Sequence, residues 1–229
     1  MNTAPIRALT LDLDDTLWPI WPAIQRAEAA LHAWLAIHAP ATAARFDCAG
    51  LRALRDRVTL ERPEWAHDLS ALRRESVRMA LAEARDDVDL ADAAFDVFFA
   101  ERQRVEFYPD VLDALQRLAK AYPLLALSNG NADLSAVGLA TWFRGGLSAR
   151  EFGVGKPDSR IFAEACRRLG FAAGEVLHVG DDLELDVRGA HGAGLQAVWL
   201  CRGDGSAGAG IEGIATVCDL LALADRLGC

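Results

Sequence analysis

Residues 7–19 read RALTLDLDDTLWP. Arg7 to Leu13 is a short apolar run of strand formers, and Asp12, Asp14 and Asp15 fall together where that run ends. The run is expected to be a buried strand. Asp12 and Asp14 lie two apart, so an extended backbone turns both carboxylates to one side. Like charges at that spacing repel and Asp is a poor strand former, so the pair needs a nearby cation. The alternative is one Asp capping the next turn, which leaves the other acids without a reason.

Beyond this strand the period changes. Ile24, Ala27, Leu31, Trp34 and His38 fall on one helical stripe, with Pro22 near its first turn. Helical spacing continues from Leu51 to Val105, through Leu69, Leu72, Met79, Phe95, Phe98 and Arg102, with no strand pattern. After Tyr108 and Pro109 a stripe of Val111, Leu112, Leu115 and Leu118 leads into a second apolar strand, Pro123 to Leu127. Further strands are expected at Val176 to Gly180 and Ala197 to Cys201, with helices around Ile161 to Leu169 and Val187 to Ala193. Strands alternating with helices predict an α/β fold, a parallel sheet covered on both faces. The helical block of roughly residues 18–105 is then an insertion after the first strand, and Gly203 to Gly213 reads as a surface loop.

Ligands of open parallel sheets bind beyond the carboxyl ends of the strands. Three such ends are polar here: the Asp12 cluster, Ser128-Asn129-Gly130-Asn131, and Gly180-Asp181-Asp182. Asp181, Asp182, Glu184 and Asp186 form a second acidic group, and two converging acidic strand ends imply a metal, for which hard oxygen ligands favour magnesium. Acids in a first helical turn are the competing explanation. Lys156 stands out because Arg outnumbers Lys by 22 to 2 in the chain. In Gly155-Lys156-Pro157, at a turn before a helix, it suits a compact ammonium near phosphoryl oxygens, or else a solvated loop. Ser128 offers a hydroxyl and adjacent backbone N–H groups to an anion, or forms an ordinary turn. The five histidines lack metal-ligand spacing, and His178 within a strand reads as a core residue with its polar atoms satisfied.

The net charge of −9 argues against nucleic-acid and anionic-membrane partners, which need a basic stripe. No apolar run reaches the roughly 18 to 20 residues that span a bilayer. Five cysteines without framework spacing and without a preceding export signal make a reducing cytoplasm the expected setting.

DLDDT (12–16), LALSNGN (125–131), GKP (155–157) and VGDDLELD (179–186) together resemble the four ordered motifs of haloacid dehalogenase superfamily hydrolases. That resemblance implies a Rossmann-like catalytic core from residues 1–17 and 106–229, and a helical C1 cap from 18–105 hinged near Leu17 and Tyr108. It implies Asp12 as the nucleophile that forms an aspartyl-phosphate and Asp14 as acid and then base. Mg2+ would be held by Asp12, the backbone carbonyl of Asp14 and Asp181, with Ser128 and Lys156 on the phosphoryl oxygens. Asp186, Asp182 and Thr16 would support them, and Asn129 and Gly130 would bind substrate. Family dehalogenases lack the second aspartate, present here as Asp14, so phosphorus chemistry is favoured over a 2-haloacid dehalogenase. A phosphomutase and a non-catalytic binding module are further alternatives. DLDDTLWPIWPAI, SNGN and EVLHVGDDLELDVRGAHGAGLQAVWL look similar to bacterial phosphatases of the flavin-pathway intermediate 5-amino-6-(5-phosphoribitylamino)uracil, which also accept flavin mononucleotide. In the cap, Trp18, Trp21, His67, Asp68, Arg73 and Arg74 either face the substrate or form cap core and a solvated helix face. The expected partner is a small-molecule phosphate ester, and the expected state a monomer or weak homodimer.

Overall fold

The computed structural model describes residues 4–203 and 214–229. All but the first residue of the loop expected over Gly203 to Gly213 therefore lies outside the described residues. The chain forms two compact units, Ile20–Val105 and the pair Met1–Pro19 with Glu106–Cys229.

The first of these is wholly helical among the described residues: α1 Ile20–His38, α2 Pro40–Arg45, α3 Cys48–Glu61, α4 Leu69–Ala84 and α5 Ala91–Arg102. Asp47 and Asp68 start α3 and α4 by accepting from the Gly50 and Ala71 amides, each supplying an acceptor that the first helical turn lacks. α1 packs on α5 and α3 on α4. Their facing stripes bury Ala27, Leu31, Leu35, Leu54, Val77, Leu81, Phe95 and Phe98, each large side chain stabilising the unit by about 1.5–3 kcal/mol. Glu28 is also buried, and accepts from Arg52 at 2.5 Å and from Arg73 at 3.4 Å.

The other unit is built on a parallel sheet of β1 Ala8–Leu11, β2 Leu124–Ser128, β3 Gly146–Ser148, β4 Val176–Gly180, β5 Gln196–Leu200 and β6 Ala215–Val217. Their order is β3-β2-β1-β4-β5-β6, all pairs parallel. Helices α6 Val111–Ala121, α7 Ala149–Phe152, α8 Ser159–Leu169, α9 Gly189–Gly192 and α10 Leu220–Leu227 complete it. Strand alternation divides the sheet residues between two faces. Leu125, Leu127, Val176 and Ala8 pack with Ile161, Phe162, Ala165 and Leu169 of α8, while Leu124 and Ala126 point to the opposite face. α6 carries Val111, Ala114, Leu115 and Leu118 on one buried stripe and packs on α10. The expected helix over Val187 to Ala193 is instead a π-helical turn, Leu183–Arg188, followed by the short α9.

Two features fasten the carboxyl ends of this sheet. Arg202 forks onto Asp110 at 2.8 and 3.1 Å, lies 4.0 Å from the Tyr108 ring centroid and donates to the Thr16 carbonyl. Asp110 also accepts from the Leu220 amide at 2.7 Å, joining the starts of α6 and α10. Burial pushes the Asp110 carboxyl up, but the Arg202 and Leu220 bonds outweigh it and hold the group below its ordinary value. Its stabilisation is thus present above the unfolded carboxylate pKa and is lost as pH falls through the folded value. Asp110→Asn should destabilise the protein by about 1–3 kcal/mol at neutral pH, with the difference from the parent shrinking in acid. Denaturant melts at pH 7 and pH 3 check both parts. Among the described residues, no helix is long and apolar enough to cross a membrane.

Candidate active site

The strand order reverses at β1, which has β2 on one side and β4 on the other, and ligands of such sheets bind at that switch point. Asp12 follows β1 there, its amide donating to the Val179 carbonyl at 2.9 Å so that the β1–β4 ladder continues to the acidic residue. Thr10 and Asp12 share the sheet face of Leu125 and His178 by alternation. Beyond Asp14 the chain turns sharply, with Asp15 in the left-handed region at φ 57° and its amide on the Trp18 carbonyl. This returns buried Trp18 to Asp14, where the indole Nε1 donates to Oδ1 at 2.9 Å.

Lys156 is the hub of the site. Its ammonium donates to Asp12 Oδ1 at 2.6 Å and to Asp186 Oδ1 at 2.5 Å, and all three side chains are buried. Asn129 positions this lysine: its Oδ1 accepts from the Lys156 amide at 2.7 Å, and its Nδ2 donates to the Lys156 carbonyl at 2.8 Å. A Cβ on Gly155 would stand 2.6 Å from that Asn129 oxygen, so this close approach needs glycine. The Lys156-Pro157 peptide is cis. Asn129, expected to bind substrate, thus commits both ends of its amide to the backbone of Lys156. Ser128, buried at the end of β2, accepts from the Gly130 amide at 2.9 Å, which occupies an N–H expected to face an anion.

From β4, Asp181 accepts from Thr16 Oγ1 at 2.9 Å, and its carbonyl accepts from Trp199 Nε1 at 2.7 Å. Asp182 caps the following π-helical turn, taking the Glu184 and Leu185 amides, each at 2.8 Å. The helical-turn explanation of this second acidic group therefore describes Asp182. Asp186 turns back beneath the strand end, where its Oδ1 also meets His178 Nε2 at 3.0 Å and its Oδ2 accepts from the Asp182 amide at 3.0 Å. A Cβ on Gly180 would lie 2.2 Å from Asp186, so only glycine admits the carboxylate. Gly180→Ala should displace Asp186 and Lys156 together and lower kcat by about 10- to 100-fold, as is usual for loss of a group that orients reacting residues. Steady-state kinetics on one ester would measure it.

The carboxylates of Asp12, Asp181 and Asp186 each present an oxygen within 4.8 Å of the others. Burial pushes the Asp12 carboxyl up to about 8 against the pull of Lys156, and pushes Asp181 up to about 6. Asp186 is also desolvated, yet Lys156 and His178 hold it far below the usual carboxylate range. Two buried acids and a partly buried third beside one ammonium favour a second cation, and this oxygen donor set fits a hard divalent ion. The oxygens of Asp186 already take three donors, which leaves Asp12 and Asp181 as the better side-chain ligands. Beside Ser128 opens a cavity of about 250 Å³ whose lining includes Leu13, Ala126, Ser135, Ser148 and Glu151.

Residues expected at a cap surface distribute differently. Arg73 is buried inside the helical unit, on Glu28 and 4.2 Å from the Phe98 ring, which is the core alternative. Desolvation, reinforced by Arg55, lowers its pKa to about 10. Asp68 is the α4 cap, Arg74 lies 3.9 Å from the Phe95 ring, and Trp21 is about half exposed under Arg52. Trp18 belongs to the sheet unit.

Residues 6–194 match the family model described as haloacid dehalogenase-like hydrolase. Over 199 residues the chain is 38% identical to the 5-amino-6-(5-phospho-D-ribitylamino)uracil phosphatase of Escherichia coli (strain K12), covering 85% of this chain and 83% of that protein. Over 166 residues it is 37% identical to a phosphoserine phosphatase of Thermus thermophilus, covering 70% of this chain and 62% of the other. A solved structure described as 2-haloacid dehalogenase from Pseudomonas syringae pv. Tomato DC3000 superposes with a TM-score of 0.87 at 39% identity, covering 97% of this chain and 98% of that one.

Proposed function

Because the chain belongs to the haloacid dehalogenase-like hydrolases, we propose that it is a Mg2+-dependent phosphatase of small phosphate monoesters, with Asp12 as nucleophile and Ile20–Val105 as its cap. The observation that carries this reading is Asp14, two residues from Asp12 and held by the Trp18 indole. A phosphate ester leaves as an alkoxide and needs a proton, whereas a halide leaves without one. In a dehalogenase, the second reading suggested by the Pseudomonas structure, Asp14 would have no task.

Lys156 holds Oδ1 of Asp12 and leaves the other carboxylate oxygen to attack phosphorus. The P–O bond to the leaving group breaks as Asp14 gives that oxygen its proton. Asp14 then takes a proton from water, which attacks the aspartyl-phosphate and breaks its P–O bond to Asp12, returning Asp12 to a carboxylate and Asp14 to the acid it began as. Lys156 and the Ser128 hydroxyl bind the transferring oxygens, while Asn129 keeps Lys156 in register. Asp12, Asp181 and the Asp14 carbonyl would hold Mg2+, whose charge would offset the repulsion between carboxylate and phosphoryl group. The likeness to the Escherichia coli enzyme makes a ribityl phosphate the first substrate to try. The five cysteines are all free, which suits a reducing cytoplasm.

Phosphate release from a ribitylaminouracil phosphate, flavin mononucleotide, sugar phosphates and nucleotides, with Mg2+ and with chelator, tests the proposal. Metal-dependent release is expected, greatest for the ribityl esters. Isomerised sugar phosphate without free phosphate would make the enzyme a mutase, and silence across the panel would remove the phosphatase reading.

A further inference from the structure

Resting on the phosphatase reading, we propose that His178, in the middle of β4, is a positioning residue that dedicates Asp186 to Lys156 and keeps it from becoming a metal ligand. His178 is fully buried, and both ring nitrogens are engaged: Nδ1 lies 2.8 Å from Thr10 Oγ1 and Nε2 lies 3.0 Å from Asp186 Oδ1. Its ring meets Phe162 of α8 edge-on, with centroids 5.2 Å apart, so packing fixes the imidazole plane. A carboxylate oxygen only accepts, so Nε2 must carry the proton. A neutral imidazole then has its lone pair on Nδ1, and the Thr10 hydroxyl donates to it. Burial disfavours the cationic ring, in keeping with this neutral tautomer.

The hydrogen bonds therefore run in one direction, from Thr10 of β1 through His178 of β4 to Asp186 in the π-helical turn. Asp186 is met at Oδ1 by His178 and Lys156 and at Oδ2 by the Asp182 amide. Without the imidazole, Asp186 would have one donor fewer and an oxygen within ligand reach of the ion bound by Asp12 and Asp181. Lys156 would then lose its fixed anchor and its aim at Asp12. The effect should fall on kcat rather than KM, because aim matters to the reacting geometry more than to capture of the ester.

Three proteins and one spectroscopic measurement test this. His178→Leu should lower kcat by about 10- to 100-fold with KM within about two-fold, the usual size of effect for a partner that orients a reacting group. His178→Gln, whose amide nitrogen reaches about as far as Nε2 and donates to Asp186, should recover most of the loss. Thr10→Val, nearly the same shape, should lower kcat by about three-fold by freeing the tautomer, an effect of roughly one hydrogen bond. Equal impairment in the Gln and Leu proteins, or unchanged kcat in a folded Leu protein, would overturn the proposal. Nitrogen-15 NMR of the parent imidazole should show a protonated Nε2, and a bare Nε2 would overturn it even if His178→Leu fails to fold. Since the spectrum does not depend on turnover, failure of the phosphatase reading appears separately, as a parent protein that releases no phosphate.

Discussion

Asp12→Asn is expected to lower phosphate release by about four orders of magnitude or more, the scale seen when a covalent nucleophile is removed. The amide nearly preserves the shape of the carboxylate and can still accept from Lys156, so a loss of this size reports nucleophilicity rather than collapse of the site. Far-UV circular dichroism of the variant checks that it is folded. Parent-like turnover in a folded Asp12→Asn protein would exclude Asp12 as the nucleophile.

Lys156→Met should affect both activity and stability. Met fills a similar volume without charge, leaving Asp12 and Asp186 buried and facing each other with no ammonium between them. Removing one partner of a buried ionic cluster costs about 3–5 kcal/mol, and losing a charge aimed at a transition state lowers kcat by about 100- to 1,000-fold. The stability cost has a definite sign with pH. With Lys156 gone, both carboxyls prefer to be protonated when folded, so the variant is nearest the parent in mild acid and falls away as pH rises through their ionisation. Denaturant melts at pH 4.5 and 7.5 would show this divergence. Lys156→Arg is not expected to restore activity, because contacts of 2.5 and 2.6 Å leave a wide planar guanidinium no room to face both oxygens.

The sheet interior was legible in the sequence because β1, β2, β4 and β5 are runs of four or five residues, largely buried and bounded by polar strand ends. β3 and β6 were not, since three residues, GLS and ATV, carry no usable period and only pairing with β2 and β5 makes them strands. The same limit applies to the site. Asp12 and Asp181 announced themselves as charges at strand ends, and Lys156 as a rare lysine in a turn before a helix. Asn129 and His178 did not: what they do depends on which backbone or carboxylate the fold sets 3 Å away. For His178 the available signal was a polar ring at an inward position of an otherwise apolar strand, opposite a threonine. A core histidine with its polar atoms satisfied was the correct local description, and only its partner, Asp186, gives it consequence.

The insertion of Ile20–Val105 between β1 and β2 also constrains how the protein emerges from the ribosome. β1 is central in the sheet, yet every strand it pairs with is encoded later, β2 beyond the whole helical unit and β4 further still. The helical unit, with its own core, is complete in the nascent chain before any partner for Leu9 or Leu11 has been synthesised. Domains tend to fold as units during synthesis, and distant strand pairings form slowly. During that interval the apolar strand carrying the nucleophile has no sheet to join. Segment 7–17 of the growing chain is therefore where a chaperone should bind, and where stalled or truncated products should aggregate.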